Sequence, residues 1–164
     1  MNKYSKRILA FTIISMLFVS CLYENEQDLF PQPDTSTDNI WDGDPITFVK
    51  EAGADPEDES NQDRITDDIW ITRGNLGGQI YNAKTETFAT KETSPQGTSW
   101  AIGEIDDHEN LTFRTFRETL IKPKNVVGTN LVMRIDESGI LISVKFLSWD
   151  KDAKGGFSYE RSTE

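Results

Sequence analysis

Acidic side chains crowd the segment between residues 55 and 68, and carboxylate oxygens are the ligands that Ca²⁺ prefers in proteins. Asp63, Asp67 and Asp68 are close enough in sequence to share one ion. Their spacing does not match an EF-hand loop, which requires a glycine at its sharp turn. A solvated run of charges is therefore the favoured interpretation, and no cofactor is expected. A Ca²⁺ site at these three residues is the alternative.

A second pattern combines aromatic rings with hydrogen-bonding side chains, as in proteins that bind sugars. Such sites stack the face of a sugar ring on an exposed Trp or Tyr. Trp100 follows a Pro/Gly turn and is expected to be exposed, so Trp100, Tyr81 and Arg73 are the candidate ligand-binding residues. Trp70 and Trp149 lie inside β-rich runs, where we expect them to pack in the core.

Catalytic chemistry is not indicated by the sequence. A nucleophilic triad needs a base beside its Ser or Cys, and the only histidine, His108, lies in an acidic stretch. The chain also has no Gly-x-Ser-x-Gly motif. We predict that this protein is not an enzyme.

The only cysteine, Cys21, follows a basic start and an apolar run from Ile8 to Val19. That run is short for a membrane-spanning helix, which needs about 20 residues, and it has the layout of a secretory signal. Phe18-Val19-Ser20-Cys21 resembles the lipobox of bacterial lipoproteins, although Phe18 stands where Leu is usual. The resemblance implies a signal peptide over residues 1–20 and lipidation of Cys21. An ordinary signal peptide is the alternative.

Residues 21–45 are predicted to form an acidic, flexible tether, because prolines and charges cannot bury enough apolar surface to order the chain. Trp41 lies in this segment and is expected to be exposed. Glu24, Glu26 and Asp28 resemble the acidic export signals of surface lipoproteins in Bacteroidota-type bacteria. The resemblance implies an outer-membrane, outward-facing location.

The negative charge is concentrated near the N-terminus. The formal net charge is −11, and loss of Lys3, Lys6 and Arg7 with the signal would bring it to −14. Residues 24–68 hold fifteen acidic and two basic residues, whereas residues 69–164 hold thirteen acidic and twelve basic ones. This balance argues against a nucleic-acid partner and against electrostatic docking on anionic lipid.

Residues 46–164 show short β-type runs separated by turn residues. The runs lie at 46–49, 69–73, 79–81, 99–105, 131–135, 140–149 and 157–161. Asp136-Glu137-Ser138-Gly139 predicts a hairpin turn, and Thr112 to Leu120 predicts the one short helix, with Thr112 as its cap. We therefore predict an all-β domain, an antiparallel β-sandwich, with jelly-roll topology as one arrangement.

Several segments of this domain resemble an uncharacterised module of secreted proteins from Bacteroidota-type bacteria. The most specific of them is the terminal Gly155-Gly156-Phe157-Ser158-Tyr159-Glu160-Arg161-Ser162-Thr163. The resemblance runs from Ile46 to Thr163 and implies a secreted β-rich unit. The module has no assigned activity, so the resemblance implies nothing about a ligand.

Together these features predict a monomeric, surface-exposed lipoprotein with one noncatalytic β-sandwich that binds a ligand or an envelope protein. Its membrane partner would be reached through the lipid anchor. Two alternatives are a carbohydrate-binding module that assists glycan capture and a calcium-stabilised adhesion module. An exposed planar strip of aromatic rings would favour the carbohydrate module, whereas buried tryptophans would disfavour it.

Overall fold

The computed structural model describes residues 39–164, whose strands pair antiparallel with one parallel exception. Within this range the strands are β1 (Ile40–Trp41), β2 (Gly43–Lys50), β3 (Asp63–Arg64), β4 (Trp70–Arg73), β5 (Ile80–Asn82), β6 (Thr98–Ile102), β7 (Asn130–Ile135), β8 (Leu141–Trp149) and β9 (Phe157–Thr163). A single α-helix, α1 (Phe116–Leu120), and three short 3-10 helices at Glu59–Asn61, Ile105–Asn110 and Pro123–Asn125 complete them. The predicted all-β class is confirmed.

The strands form two sheets that face each other across one hydrophobic core. The large sheet has the order β2-β9-β8-β7-β6, with β1 pairing in parallel with the start of β8, and the small sheet has the order β3-β4-β5. Strands β6 to β9 are consecutive neighbours, so the large sheet is a meander rather than the crossing arrangement of a jelly roll. The hairpin predicted at residues 136–139 is confirmed, since β7 pairs with β8 around it.

The core takes alternate side chains from the large sheet, as the two-residue period of a strand requires. Phe157 and Tyr159 of β9 face the core together with Phe146 and Trp149 of β8. Phe146 and Trp149 are three residues apart, so regular alternation would put them on opposite faces. A β-bulge at Leu147 adds one residue to β8, which returns Trp149 to the core beside Phe157.

Two predicted boundaries are wrong. The ordered domain begins before residue 46, because β1 starts at Ile40 and Trp41 is only 9% exposed. Trp41 pairs with Ile142 of β8 and joins the core, which the acidic composition around it concealed. The helix begins later than predicted, since Thr115 is the N-cap and forms a reciprocal capping box with Glu118.

Candidate functional site

All three predicted ligand-binding residues, Trp100, Tyr81 and Arg73, are buried, and the two aromatic rings among them lie in the interior. Trp100 is 1% exposed, packs edge-on against Phe116 at a ring separation of 5.0 Å, and donates its Nε1–H to Thr98 Oγ1. Tyr81 is 3% exposed, and burial, followed by the charges of Glu57, Asp55 and Glu86, raises its pKa. Neither ring can stack on a sugar, so this part of the prediction is wrong.

The other tryptophans do not form an exposed strip either. Trp41 and Trp149 are buried, and the guanidinium of Arg73 lies 4.0 Å above the Trp149 ring. Trp70 is half-buried and is covered by Arg64 at 4.0 Å and by the Lys84 ammonium at 4.6 Å. Three of the four tryptophans are therefore buried, and two cations lie over the ring of the fourth. This arrangement disfavours recognition of a sugar by stacking.

The predicted calcium ligands are not brought together. Asp63 is 6% exposed and accepts hydrogen bonds from Arg161 and from the Tyr159 hydroxyl, whereas Asp67 and Asp68 lie exposed beyond β3. Asp63 is therefore not available to a cation. Throughout the described domain, no three His, Cys, Asp or Glu side chains converge as a metal site would require.

Carboxylates of the acidic loop serve its own turns. Asp55 accepts from the Glu57 N–H, and Asp58 accepts from both the N–H and the hydroxyl of Ser60. The side-chain amide of Asn61 donates to the carbonyl of Asp55, which closes the loop on itself. These bonds account for Asp55 and Asp58 without a bound ion.

Cys21, the predicted lipidation site, lies outside the described residues, as does most of the predicted tether. From residue 39 onward, the chain contains no helix that is both long and apolar enough to cross a membrane.

A cleft of about 560 Å³ opens beside β4 and gathers cationic side chains. Its lining contains two arginines and four lysines but only one carboxylate, that of Asp150. The six cations are Arg73, Lys91, Arg117, Lys122, Lys124 and Lys151. The chain as a whole carries a net charge of −11, so this cleft differs in sign from the protein around it. A cleft lined by one sign of charge concentrates the field and attracts ions of the other sign.

Five separate parts of the fold deliver these cations, and one of them is the loop between β5 and β6, which carries Lys91. Arg73 ends β4, Arg117 lies on α1, and Lys122 and Lys124 follow that helix around Pro123. Lys151 follows the end of β8. The chain turns sharply after α1, because Ile121 adopts a left-handed φ of +59° that a β-branched residue rarely tolerates. This turn carries the chain from the helix to Lys122 and Lys124.

Arg73 lies in the wall of the cleft, where its guanidinium is held rigidly by hydrogen bonds. It is 3% exposed, donates Nε–H to the carbonyl of Gly78 at 3.0 Å, and donates from Nη1 to the carbonyls of Asp150 and Gly156 at 2.9 and 3.0 Å. Burial lowers the pKa of Arg73, while the Asp150 charge acts in the opposite direction. Arg73 is thus the one predicted ligand-binding residue that lines the cleft.

A second buried cation lies close to Arg73. The ammonium of Lys50 donates to Asn75 Oδ1 at 3.0 Å, and the side chain is 1% exposed. Burial and then the charge of Arg73 lower the pKa of Lys50, while Asp55 raises it. When protonated, Lys50 adds to the positive potential behind the cleft.

The glycine pair of the terminal motif, Gly155 and Gly156, lies against Arg73 and the residue after it. A side chain at Gly155, where φ is +68°, would collide with the carbonyl of Gly74. Gly156 offers its carbonyl to both Arg73 and the N–H of Asp150. These two glycines therefore position Arg73 and the end of β8, a role that their place in the terminal motif did not indicate.

Five of the six cations were not predicted from the sequence, because they are scattered over several segments of the chain. The available signal was the near-neutral charge of residues 69–164, which shows that many basic residues lie in the folded part. It could not show that they converge. No family model matches the chain, and comparisons with curated proteins and with solved structures find no match either.

Proposed function

We propose that this protein is a noncatalytic binding module that captures an anionic ligand in its cationic cleft. A lipid on Cys21 would hold it at the outer membrane, facing outward, with the acidic segment before Ile40 as the spacer. The observation that carries the proposal is the convergence of six cations and one carboxylate on a single cleft of about 560 Å³. Ligand pockets of small molecules span roughly 300–1,000 Å³.

The alternative is that these lysines belong to an ordinary solvated surface and bind no ligand. Two observations favour a site. Within residues 39–164, the six cations form one ion pair, between Lys91 and Glu92 at 3.3 Å. Both side chains are exposed, and such pairs contribute little to stability. In addition, the fold holds the buried Arg73 in the cleft wall by three backbone carbonyls, which lysines on an open surface would not need.

The lining of the cleft also supports binding rather than catalysis. General acid–base catalysis and nucleophilic catalysis need paired groups of matched pKa. Among the described residues that line the cleft there is one carboxylate and no His, Ser or Cys. Electrostatic capture needs only what is present there, namely fixed and flexible cations around a recess.

The binding proposal is tested with the full-length protein in non-ionic detergent. Its affinity for anionic polymers, such as oligouronate and polyglutamate, is measured by calorimetry at two salt concentrations. Lys122→Glu with Lys124→Glu should weaken binding at least about tenfold, and added salt should weaken the wild type, because exposed charges are screened. Lys145→Glu with Arg114→Glu reverses two exposed charges outside the cleft lining and is the matched control. An equal loss of affinity in both double variants would contradict the proposal.

The anchor is tested separately. Cys21→Ala should release the protein from the membrane fraction, and protease added to intact cells should digest the wild type if it faces outward. Continued membrane partitioning of Cys21→Ala would remove the lipoprotein part of the proposal and leave the cleft untouched.

A further inference from the structure

The wall of the cleft contains a guanidinium edge whose hydrogen-bonding capacity is not used by the protein. Nε and Nη1 of Arg73 donate all three of their N–H groups to backbone carbonyls. Within residues 39–164, Nη2 makes no hydrogen bond, yet every fully buried polar side-chain atom of that range has a partner. Nη2 must therefore reach the solvent in the cleft that Arg73 lines. It offers two donors in a fixed orientation.

Gln79 presents the complementary feature in the same cleft. This side chain is 6% exposed. Its Nε2 donates to the carbonyls of Thr90 and Thr93 at 2.9 and 2.8 Å, which uses both amide hydrogens and fixes which atom is the oxygen. Oε1 accepts no hydrogen bond from the described residues, so it is an acceptor open to a ligand.

From these two groups we infer that the anionic ligand is a glycan bearing carboxylate or sulfate groups. The inference rests on the proposed function and assigns Arg73 and Gln79 as its specificity-determining residues. Arg73 Nη2 binds the acidic group, because guanidinium N–H groups match carboxylate and sulfate oxygens. Gln79 Oε1 accepts from a neighbouring hydroxyl of the same sugar. The surrounding lysines bind further acidic groups along the chain.

Other polyanions fit the pair of contacts less well. A polyphosphate chain carries almost no donors at neutral pH, so it would leave Gln79 Oε1 unsatisfied. In an acidic peptide, flexible methylene groups separate the carboxylate from the nearest N–H. Fixing both groups at once would cost side-chain conformational entropy. A sugar ring holds its acidic group and adjacent hydroxyl in one rigid frame, which reduces that cost.

The experiment compares three probes on the full-length protein by calorimetry at constant ionic strength: tetragalacturonate, tetraglutamate and tripolyphosphate. We expect tetragalacturonate to bind about tenfold more tightly than the other two, which corresponds to one well-placed hydrogen bond. O-methylation of its hydroxyls should abolish this preference. This ligand-side change leaves the protein intact.

Gln79→Lys gives the matching change on the protein. An ammonium can still donate to Thr90 and Thr93 but has no acceptor, so binding of tetraglutamate should persist while the preference for tetragalacturonate disappears. A variant that retains the preference overturns the assignment of Gln79. If Gln79→Lys does not fold, the comparison of native and O-methylated tetragalacturonate decides the question.

The outcomes separate the two proposals. If none of the three anions binds, the proposed function fails as a whole. If all three bind equally, the cleft captures anions but the glycan inference is wrong. If tetraglutamate binds most tightly, the partner is an acidic protein segment and the glycan inference is again overturned.

Discussion

Arg161 of β9 and Asp63 of β3 form a bidentate ion pair between the two sheets, with Nε–Oδ2 at 2.7 Å and Nη2–Oδ1 at 2.9 Å. Both side chains are about 7% exposed. The Tyr159 hydroxyl donates to the same carboxylate at 2.6 Å. Burial alone would lower the pKa of Arg161, but the hydrogen bonds and charge of Asp63 outweigh it and raise that pKa. The pair therefore fixes how β3 and the small sheet lie against β9.

Replacing Asp63 with Asn should destabilise the domain by about 3–5 kcal/mol, because the Arg161 charge would remain buried without its partner. Urea unfolding followed by tryptophan fluorescence measures this change. The double variant Asp63→Leu with Arg161→Met should be less destabilised than Asp63→Asn alone, since it removes both charges. The single variants Asp63→Leu and Arg161→Met are measured for comparison. If the loss of stability in the double variant equals the sum of their two losses, the buried-pair account is contradicted.

Stability should decline at alkaline pH because of Tyr159. Burial, the charge of Asp63 and the hydrogen bond to it raise the pKa of Tyr159 well above its usual value. In the unfolded chain tyrosine titrates near pH 10, so above that pH the unfolded state binds fewer protons than the native state. The contribution of Tyr159 to the free energy of unfolding should therefore be constant below about pH 10 and should fall above it.

Unfolding in urea between pH 8 and 11 measures this effect, and absorbance at 295 nm reports ionised tyrosine. Tyr159→Phe should be less stable at neutral pH and should show a shallower alkaline decline. Ionisation of Tyr159 near pH 10 in the folded protein would refute the prediction.

Trp100→Ala should act on stability rather than on ligand recognition. The indole is 1% exposed and packs on Phe116, so its removal leaves a cavity that costs about 3–5 kcal/mol. Lys124→Ala, at an exposed position in the cleft, should change stability by less than about 0.5 kcal/mol but weaken anion binding. A folded Trp100→Ala protein that had lost binding would place the indole in the ligand site after all.

Deleting Leu147 should be tolerated, because this residue is the extra one in the β-bulge and is 43% exposed. Without it, Phe146, Ser148 and Trp149 pair with Tyr159, Ser158 and Phe157 as a regular ladder. Circular dichroism and a cooperative thermal transition report whether the domain still folds.

Deleting Lys145, another exposed residue of β8, is the matched control. It lies in a regular part of the ladder, where a one-residue slip moves core side chains to the outer face. We expect this deletion to abolish folding. Equal tolerance of both deletions would show that the bulge does not set the register.

The sequence predicted the strands well wherever the two-residue period was local. The clearest pair, β7 and β8, follows from β-branched runs around Asp136-Glu137-Ser138-Gly139, a turn that needs no distant partner. The last strand, predicted at residues 157–161, is confirmed as β9, which extends to Thr163. Its role is structural, since Phe157, Tyr159 and Arg161 point into the sandwich.

Errors arose where a distant partner decided the outcome. Trp41 lies among acidic residues and was expected to be exposed, yet pairing with β8 and packing in the core bury it. Trp100 was expected to be exposed because a turn precedes it, but the alternation of β6 opposite Met133 turns its ring inward. Asp63 was grouped with Asp67 and Asp68 as a cation ligand, whereas Arg161, 98 positions later, occupies its carboxylate.

The sequence by itself determined the β class, the hairpin and the excess of acid before residue 69, because local periodicity and composition encode these properties. Only the tertiary structure decided where the positive charge gathers. The six cations of the cleft lie between Arg73 and Lys151, and no local pattern joins them. They meet because the end of β4, the loop between β5 and β6, α1 with the turn after it, and the turn after β8 all line one cleft.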